Sequence, residues 1–294
     1  MKVGYCVPVA PHMASYRLRV AIPAPLLGCE YEIGATGKPT FFYKHTEADL
    51  DLARSSGPYV FDVVNDHFAG KLGPHYKAMC ETAAAITVSS PLMAERVKWH
   101  TMRDAVVIDD PYENDELEPR CEGQEVLWFG HSANISSLFD IVPKIIHTPI
   151  VLTVCTNYKH PSTLQWTPET ERRSLDRCAL VLATGNNAGA SANRIVKSLR
   201  AGRFVVTPGG VPAWDAFKDY IYVGDVRKGI EWAFKNRSEV AQKVKAGQEY
   251  VKVANAPRTI ARQWMEVFAS ISPPVTSGKK AGSRSTWRTG TATL

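Results

Sequence analysis

The sequence predicts an α/β protein made of two open, parallel-sheet halves, and three observations predict it. The chain has 294 residues, enough for two domains of moderate size. Short apolar runs of strand length alternate with helical stretches throughout. One stretch, Ser191–Gly210 (SANRIVKSLRAGRFVVTPGG), contains a whole helix–turn–strand unit. Within it Ala192, Ile195, Val196 and Leu199 recur at i, i+3, i+4 and i+7, which makes one apolar helical stripe. Ser191 is the expected N-cap, and Gly202 sits where a left-handed residue ends a helix. The run from Phe204 to Thr207 then reads as a buried strand that stops at Pro208, Gly209 and Gly210.

The first half follows the same logic. Residues 2–9 form the first predicted strand, and a helix is expected from Ser15 to Leu27, bent by Pro23 and Pro25. Ser15, Arg17 and Arg19 lie at that first strand-to-helix turn. There the carboxyl edge of an α/β sheet opens toward ligands. A solvated helix face is the alternative for the two arginines, Arg19 above all. Further strands are expected at 30–33, 40–43, 59–64, 85–89 and 105–108, with helices at 48–55, 75–84 and 91–100. The 59–64 strand ends in Asn65-Asp66-His67-Phe68, so Asp66 and His67 form a titratable pair facing the crevice. Asp49-Leu50-Asp51 spells DxD, but it falls in a polar helical stretch and reads as surface. Residues 109–119 are acidic and bounded by prolines, as an interdomain linker would be.

The second half opens with a strand at 125–129, then Gly130-His131-Ser132-Ala133-Asn134 and a helix start near Ser136. A glycine between strand and helix suits an anion, so Gly130 and Asn134 are candidate ligand residues. Strands are predicted at 149–155, 179–184 and 221–223, and helices at 169–176, 226–234, 238–253 and 259–271. Residues 185–190 form a small-residue loop ahead of the central helix. Asn193 and Arg194 occupy that helix's first turn, where free N–H groups and the helix dipole attract an anion. The arginine fork can engage two oxygens of a diphosphate.

Composition narrows the class. Apolar residues make up 45% and charged residues 22% of the chain, as in globular proteins. The formal charge is +6, and most of it resides in Lys279, Lys280, Arg284 and Arg288 of a Ser/Thr/Gly-rich tail that carries no acid. The body of the chain therefore shows no basic groove of the kind that binds nucleic acid. Cys6, Cys29, Cys80, Cys121, Cys155 and Cys178 are scattered without CxxC pairs, which fits a reducing, cytoplasmic setting and excludes a zinc ribbon. No apolar run reaches the 18 or so residues of a transmembrane segment.

The Ser191–Thr207 stretch resembles the donor-binding helix of GT-B glycosyltransferases, in the family-4-like group of retaining nucleotide-sugar enzymes. Arg194 matches the basic phosphate-binding position, and Ala201-Gly202 match the Ala-Gly turn. Lys197 stands where that family has a glutamate that holds the donor ribose. The resemblance extends to Ser15-Tyr16-Arg17-Leu18-Arg19, to the 59–68 stretch, to residues 125–134, and to Ala83–Val97 (AAAITVSSPLMAERV). It implies two Rossmann-like domains facing a central cleft: an acceptor domain over 1–119 and a donor domain over 120–256. A helix over 257–272 would return to the first domain, followed by a disordered basic tail over 273–294.

The implied activity is transfer of a sugar, as a hexosyltransferase, from a nucleotide diphosphate sugar, expected to be a UDP-sugar, to a hydroxyl acceptor. Neither cofactor nor metal is implied. His67 and Asp66 would be catalytic. Gly130, Asn134, Ser191, Asn193, Arg194 and Lys197 would bind the donor, and Ser15, Arg17 and Arg19 would form the N-terminal loop of the site. The acceptor is a glycan or, alternatively, DNA carrying hydroxymethylated bases. A nucleotide-sugar epimerase and a non-catalytic sugar-nucleotide binder are the other readings the fold allows.

Overall fold

The computed structural model describes residues 2–6, 13–33, 39–43, 48–185 and 189–272. The first half is one sheet of β1 (Lys2–Cys6), β2 (Glu30–Ile33), β3 (Thr40–Tyr43), β4 (Tyr59–Val63), β5 (Ala85–Val88) and β6 (Val106–Val107). The strands lie in the order β2-β1-β3-β4-β5-β6, and every pair is parallel. Its connections carry α1 (Ala14–Tyr16), α2 (Ala48–Ser55), α3 (Gly73–Thr82) and α4 (Pro91–Thr101). Every residue of β4 is buried, as expected of a parallel strand covered on both faces.

The helix expected over 15–27 is not continuous. Residues Arg17–Ala21 form a π turn, the wider helical turn often found at functional sites, and Ala24–Leu26 a separate 3₁₀ turn beginning after Pro23. The two prolines end the helix rather than bend it, because each lacks the N–H that would continue the ladder.

The second half repeats the design with β7 (Glu125–Gly130), β8 (Val151–Thr156), β9 (Leu164–Gln165), β10 (Leu180–Leu182), β11 (Phe204–Thr207) and β12 (Tyr222–Val223). Their order is β12-β11-β10-β7-β8-β9, again all parallel. The helices are α5 (Ile135–Phe139), α6 (Val142–Ile145), α7 (Pro168–Arg177), α8 (Asn193–Arg200), α9 (Val226–Lys235), α10 (Arg237–Ala254) and α11 (Pro257–Ile271). Side chains of β7 alternate between two buried layers, Leu127 and Phe129 to one, Val126 and Trp128 to the other. The α8 stripe of Ala192, Ile195, Val196 and Leu199 lies in the first of these layers. Gly202 is left-handed, with φ +68°, and a Cβ there would come within 2.9 Å of Pro119. Only glycine fits both demands.

α11 leaves the second half and packs Ile260, Trp264 and Phe268 against Val3, Tyr5 and Phe41 of the first sheet. Asp51 of the DxD is on the surface of α2. The predicted tail over 273–294 lies outside the described residues, as do residues 7–9 of the first predicted strand.

Candidate active site between the two sheets

In the second sheet the chain runs β7, β8, β9 to one side, then returns to build β10, β11, β12 on the other. The direction of winding therefore switches between β7 and β10. Ligands of open α/β sheets bind at such a point, beyond the strands' carboxyl ends. Gly130 ends β7, and Gly185 follows β10. The guanidinium of Arg194 occupies the space between them. A Cβ on Gly130 would lie 3.6 Å from its Nη1, and one on Gly185 would lie 3.6 Å from its Nη2. The Arg194 Nη1 is buried and has no hydrogen-bond partner. No carboxylate among the described residues pairs with it. Desolvation alone pulls its pKa down, to about 10, so at neutral pH it remains a cation. Such a group is costly to bury unless something compensates it.

The walls of this seat are fixed from below. Trp128 donates its Nε1–H to Thr184 Oγ1 at 2.8 Å, and Thr184 shares a 2.7 Å hydrogen bond with Ser137. Ser137 Oγ in turn donates to the carbonyl of Asn134 at 2.7 Å. Asn134 thus contributes its backbone to the loop, in a 3₁₀ turn capped by His131 Nδ1, which accepts from Ala133 N at 3.2 Å.

Ser191 does not cap the central helix. α8 begins at Asn193, its N-cap is Ala192, and no side chain accepts from its first turn. Ser191 lies two residues before the helix, half-buried. Asn193 stands at the first position of α8, beside Arg194.

Lys197 corrects another expectation. Its Nζ donates to Glu113 at 2.5 Å and to Glu171 at 2.6 Å. Glu113 also receives both arms of Arg17, at 2.6 and 2.9 Å. Glu171 accepts from Trp166 Nε1 at 2.7 Å, and the Arg17 guanidinium lies over the Trp166 ring at 5.4 Å. Two cations and two carboxylates close a neutral circuit between the first domain, the connection and the second domain. Burial pushes the Glu113 carboxyl up, but Arg17 and Lys197 outweigh it and hold the carboxyl down at about 2. Burial likewise pulls the Lys197 amine down, and its two carboxylates more than restore it. The lysine's charge is therefore satisfied within the protein and does not add to that of Arg194. Glu113, Glu171 and Trp166 were not predicted. A lysine at a position where relatives carry an acid, together with an acidic connection, was the available signal.

Arg19 does not lie on a solvated face, and its charge is taken up inside the first domain. It is 1% exposed and grips Asp62 at 2.6 and 3.0 Å. It also donates to the Ile108 carbonyl, reaches Asp110 at 3.5 Å and lies over Trp264 at 4.8 Å. Ser15 is half-buried on α1. At the end of β4, Asp66 accepts from Phe68 N at 3.2 Å and pairs with Arg96 at 3.7 Å. The His67 ring lies 5.0 Å from that of Tyr76. Those contacts anchor the pair within the first domain.

The two domains meet close to Arg194. Ser90 caps α4 by accepting from Met93 N, and its hydroxyl donates to the carbonyl of Gly189 at 3.0 Å. The 3₁₀ helix Pro212–Phe217 of the second domain packs on α4 of the first.

No protein-family model matches the chain, and no curated protein sequence matches it. Solved structures do. The chain is similar to HepE of Anabaena, solved with UDP-glucose, with a TM-score of 0.70 and 12% identity over 92% of this chain and 100% of that one. A glycosyltransferase of Rickettsia africae gives a TM-score of 0.69 and 10% identity over 92% of this chain and 98% of that one. TarM of S. aureus, solved with fondaparinux, alpha-GlcNAc-glycerol and UDP, gives a TM-score of 0.58 and 12% identity. That match covers 78% of this chain, which spans only 55% of TarM. The fold is therefore the GT-B fold of glycosyltransferases: two Rossmann-like α/β domains. Among the described residues no helix is long and apolar enough to cross a membrane.

Proposed function

We propose that the chain is a glycosyltransferase that moves a hexosyl group from a UDP-sugar to a hydroxyl acceptor without a metal ion. The observation that carries this is the buried, unpaired end of Arg194, seated between two glycines at the switch point and at the start of an eight-residue helix. A diphosphate supplies the charge and the acceptor oxygens that this guanidinium lacks. Similar folds solved with UDP and UDP-glucose support the choice of donor.

Negative charge grows on the diphosphate as the glycosidic bond breaks. In this reading Arg194 and the N–H groups at the start of α8 would stabilise that charge, the work a divalent ion does elsewhere. His67 is proposed to approach the acceptor from the first domain. Retention of anomeric configuration is carried over from the family resemblance. The six cysteines are unpaired, which supports a reducing compartment such as the cytoplasm.

The test is turnover of UDP-glucose by Arg194→Ala, assayed in a chelating buffer. Loss of one such contact lowers turnover about a hundredfold and raises the donor KM. Arg194→Lys recovers part of the activity, because it keeps the charge and loses the fork. Wild-type turnover and donor affinity in Arg194→Ala would overturn the assignment.

A further inference from the structure

A buried guanidinium needs an anchor, and most anchors would disable it for ligand binding. Arg19 is held by carboxylates that cancel its charge. Arg203 is held by backbone carbonyls of Leu175, Asp176, Glu118, Ala201 and Gly202, which occupy its N–H groups. Among the described residues Arg194 has neither kind of partner. What lies under it is an indole: its Cζ is 5.9 Å from the ring centroid of Trp214. An aromatic face attracts a cation through its quadrupole, without taking a hydrogen bond or cancelling charge.

We propose that Trp214 is a positioning residue, holding the Arg194 guanidinium by its ring face so that the arginine's charge and N–H groups stay available to the donor diphosphate. This rests on the donor reading given above. Trp214 is 2% exposed and belongs to the core layer beneath α8. Its ring edge also approaches Gly185, where an added Cβ would meet Cη2 at 3.5 Å. The indole and the two glycines thus bound one slot. The indole Nε1 has no hydrogen-bond partner, so packing and the ring face set its position. The 3₁₀ helix Pro212–Phe217 that carries it follows the left-handed pair Gly209 and Gly210, with φ +83° and +85°, at the end of β11. That helix rests on α4 of the first domain, so the seat of the arginine is braced from across the domain boundary.

The experiment is a double-mutant cycle read by UDP binding, with melting temperatures measured in parallel. Trp214→Leu weakens UDP about tenfold and Trp214→Phe, which keeps a smaller ring face, about threefold. In the Arg194→Ala background the same Trp214→Leu change alters UDP affinity less than about twofold, because there is no guanidinium left to position. Equal losses in both backgrounds, or a phenylalanine no better than leucine, would overturn the proposal and leave Trp214 a core residue. Should the leucine variant not fold, the Arg194 Nε–Hε resonance decides. It is ring-shifted in the wild type and moves in Trp214→Phe. A resonance insensitive to that change overturns the proposal. Full UDP affinity in Arg194→Ala would remove the donor reading itself, an outcome distinct from a cycle without coupling.

Discussion

Arg19 in the first domain buries its whole guanidinium and Arg194 in the second buries its Nη1, and each lies over a tryptophan ring. They differ in what else surrounds the charge. Asp62 takes two arms of Arg19, and Asp110 and the Ile108 carbonyl complete its shell. Thr87 Oγ1 satisfies Asp62 further at 2.7 Å. Among the described residues no carboxylate pairs with Arg194, and its Nη1 has no hydrogen-bond partner. A fully partnered buried charge fixes a structure, and an unpartnered one prepares a place for something the chain does not supply. The Arg17–Glu113–Lys197–Glu171 circuit belongs with Arg19 by this criterion, although it lies between the domains.

The sharpest way to break the comparison is Arg19→Met. It would leave Asp62 and Asp110 buried without their cation, and breaking a buried pair in this way costs about 3–5 kcal/mol. Urea unfolding should show that loss, and the folded fraction should still bind UDP as the wild type does. A stable Arg19→Met with impaired UDP binding would reverse the roles assigned to the two arginines.

Acid tests the circuit next. The Glu113 carboxyl is held at about 2, below its ordinary 4.5. A depressed carboxyl gives stability that is fully present above the unfolded value and lost as pH falls through the folded one. Glu113→Gln should therefore destabilise the protein near neutrality by roughly 2–3 kcal/mol, and by progressively less as the pH falls from about 4.5 toward 2. Unfolding midpoints of the two proteins across that window measure the convergence. A gap that stays constant across the window would show that the Glu113 charge does not stabilise the fold.

The smallest effect is the most telling. Arg194→Met removes a desolvated cation with no ion-pair partner, so it should leave stability unchanged or raise it by up to about 1 kcal/mol. A clear drop in melting temperature would show that Arg194 has a structural role resembling that of Arg19.

Local rules made much of the fold readable. The α8 stripe, the left-handed Gly202 and the buried run of β11 each depend on residues a few positions apart. So does the placement of Arg194 in the first turn of its helix. The unreadable parts depend on distant partners. Arg19 meets Asp62 across 43 positions of sequence and Asp110 across 91, so its short-range pattern looked like a solvated face. Ser191 has the chemistry of an N-cap, but the helix begins two residues further on, with Ala192 at the cap position. Lys197 looked like a donor ligand because Glu113, 84 positions away, gives no local sign of pairing with it. β9, only two residues long, is too short for any periodicity to register. Pro23 and Pro25 announced a disturbance, but whether a helix bends or stops there is decided by the packing around it.

The return of α11 to the first sheet bears on how the chain is made. Translation delivers Val3, Tyr5 and Phe41 long before Ile260, Trp264 and Phe268, which complete the same core. Until then that flank of the sheet is uncovered, and Arg19 lacks the indole it stacks on. The two core layers of the second domain draw instead on residues between Tyr112 and Val251, all of which leave the ribosome earlier than α11. Domains usually mature in the order they are synthesised. In this chain the half that emerges first has one core layer that closes last.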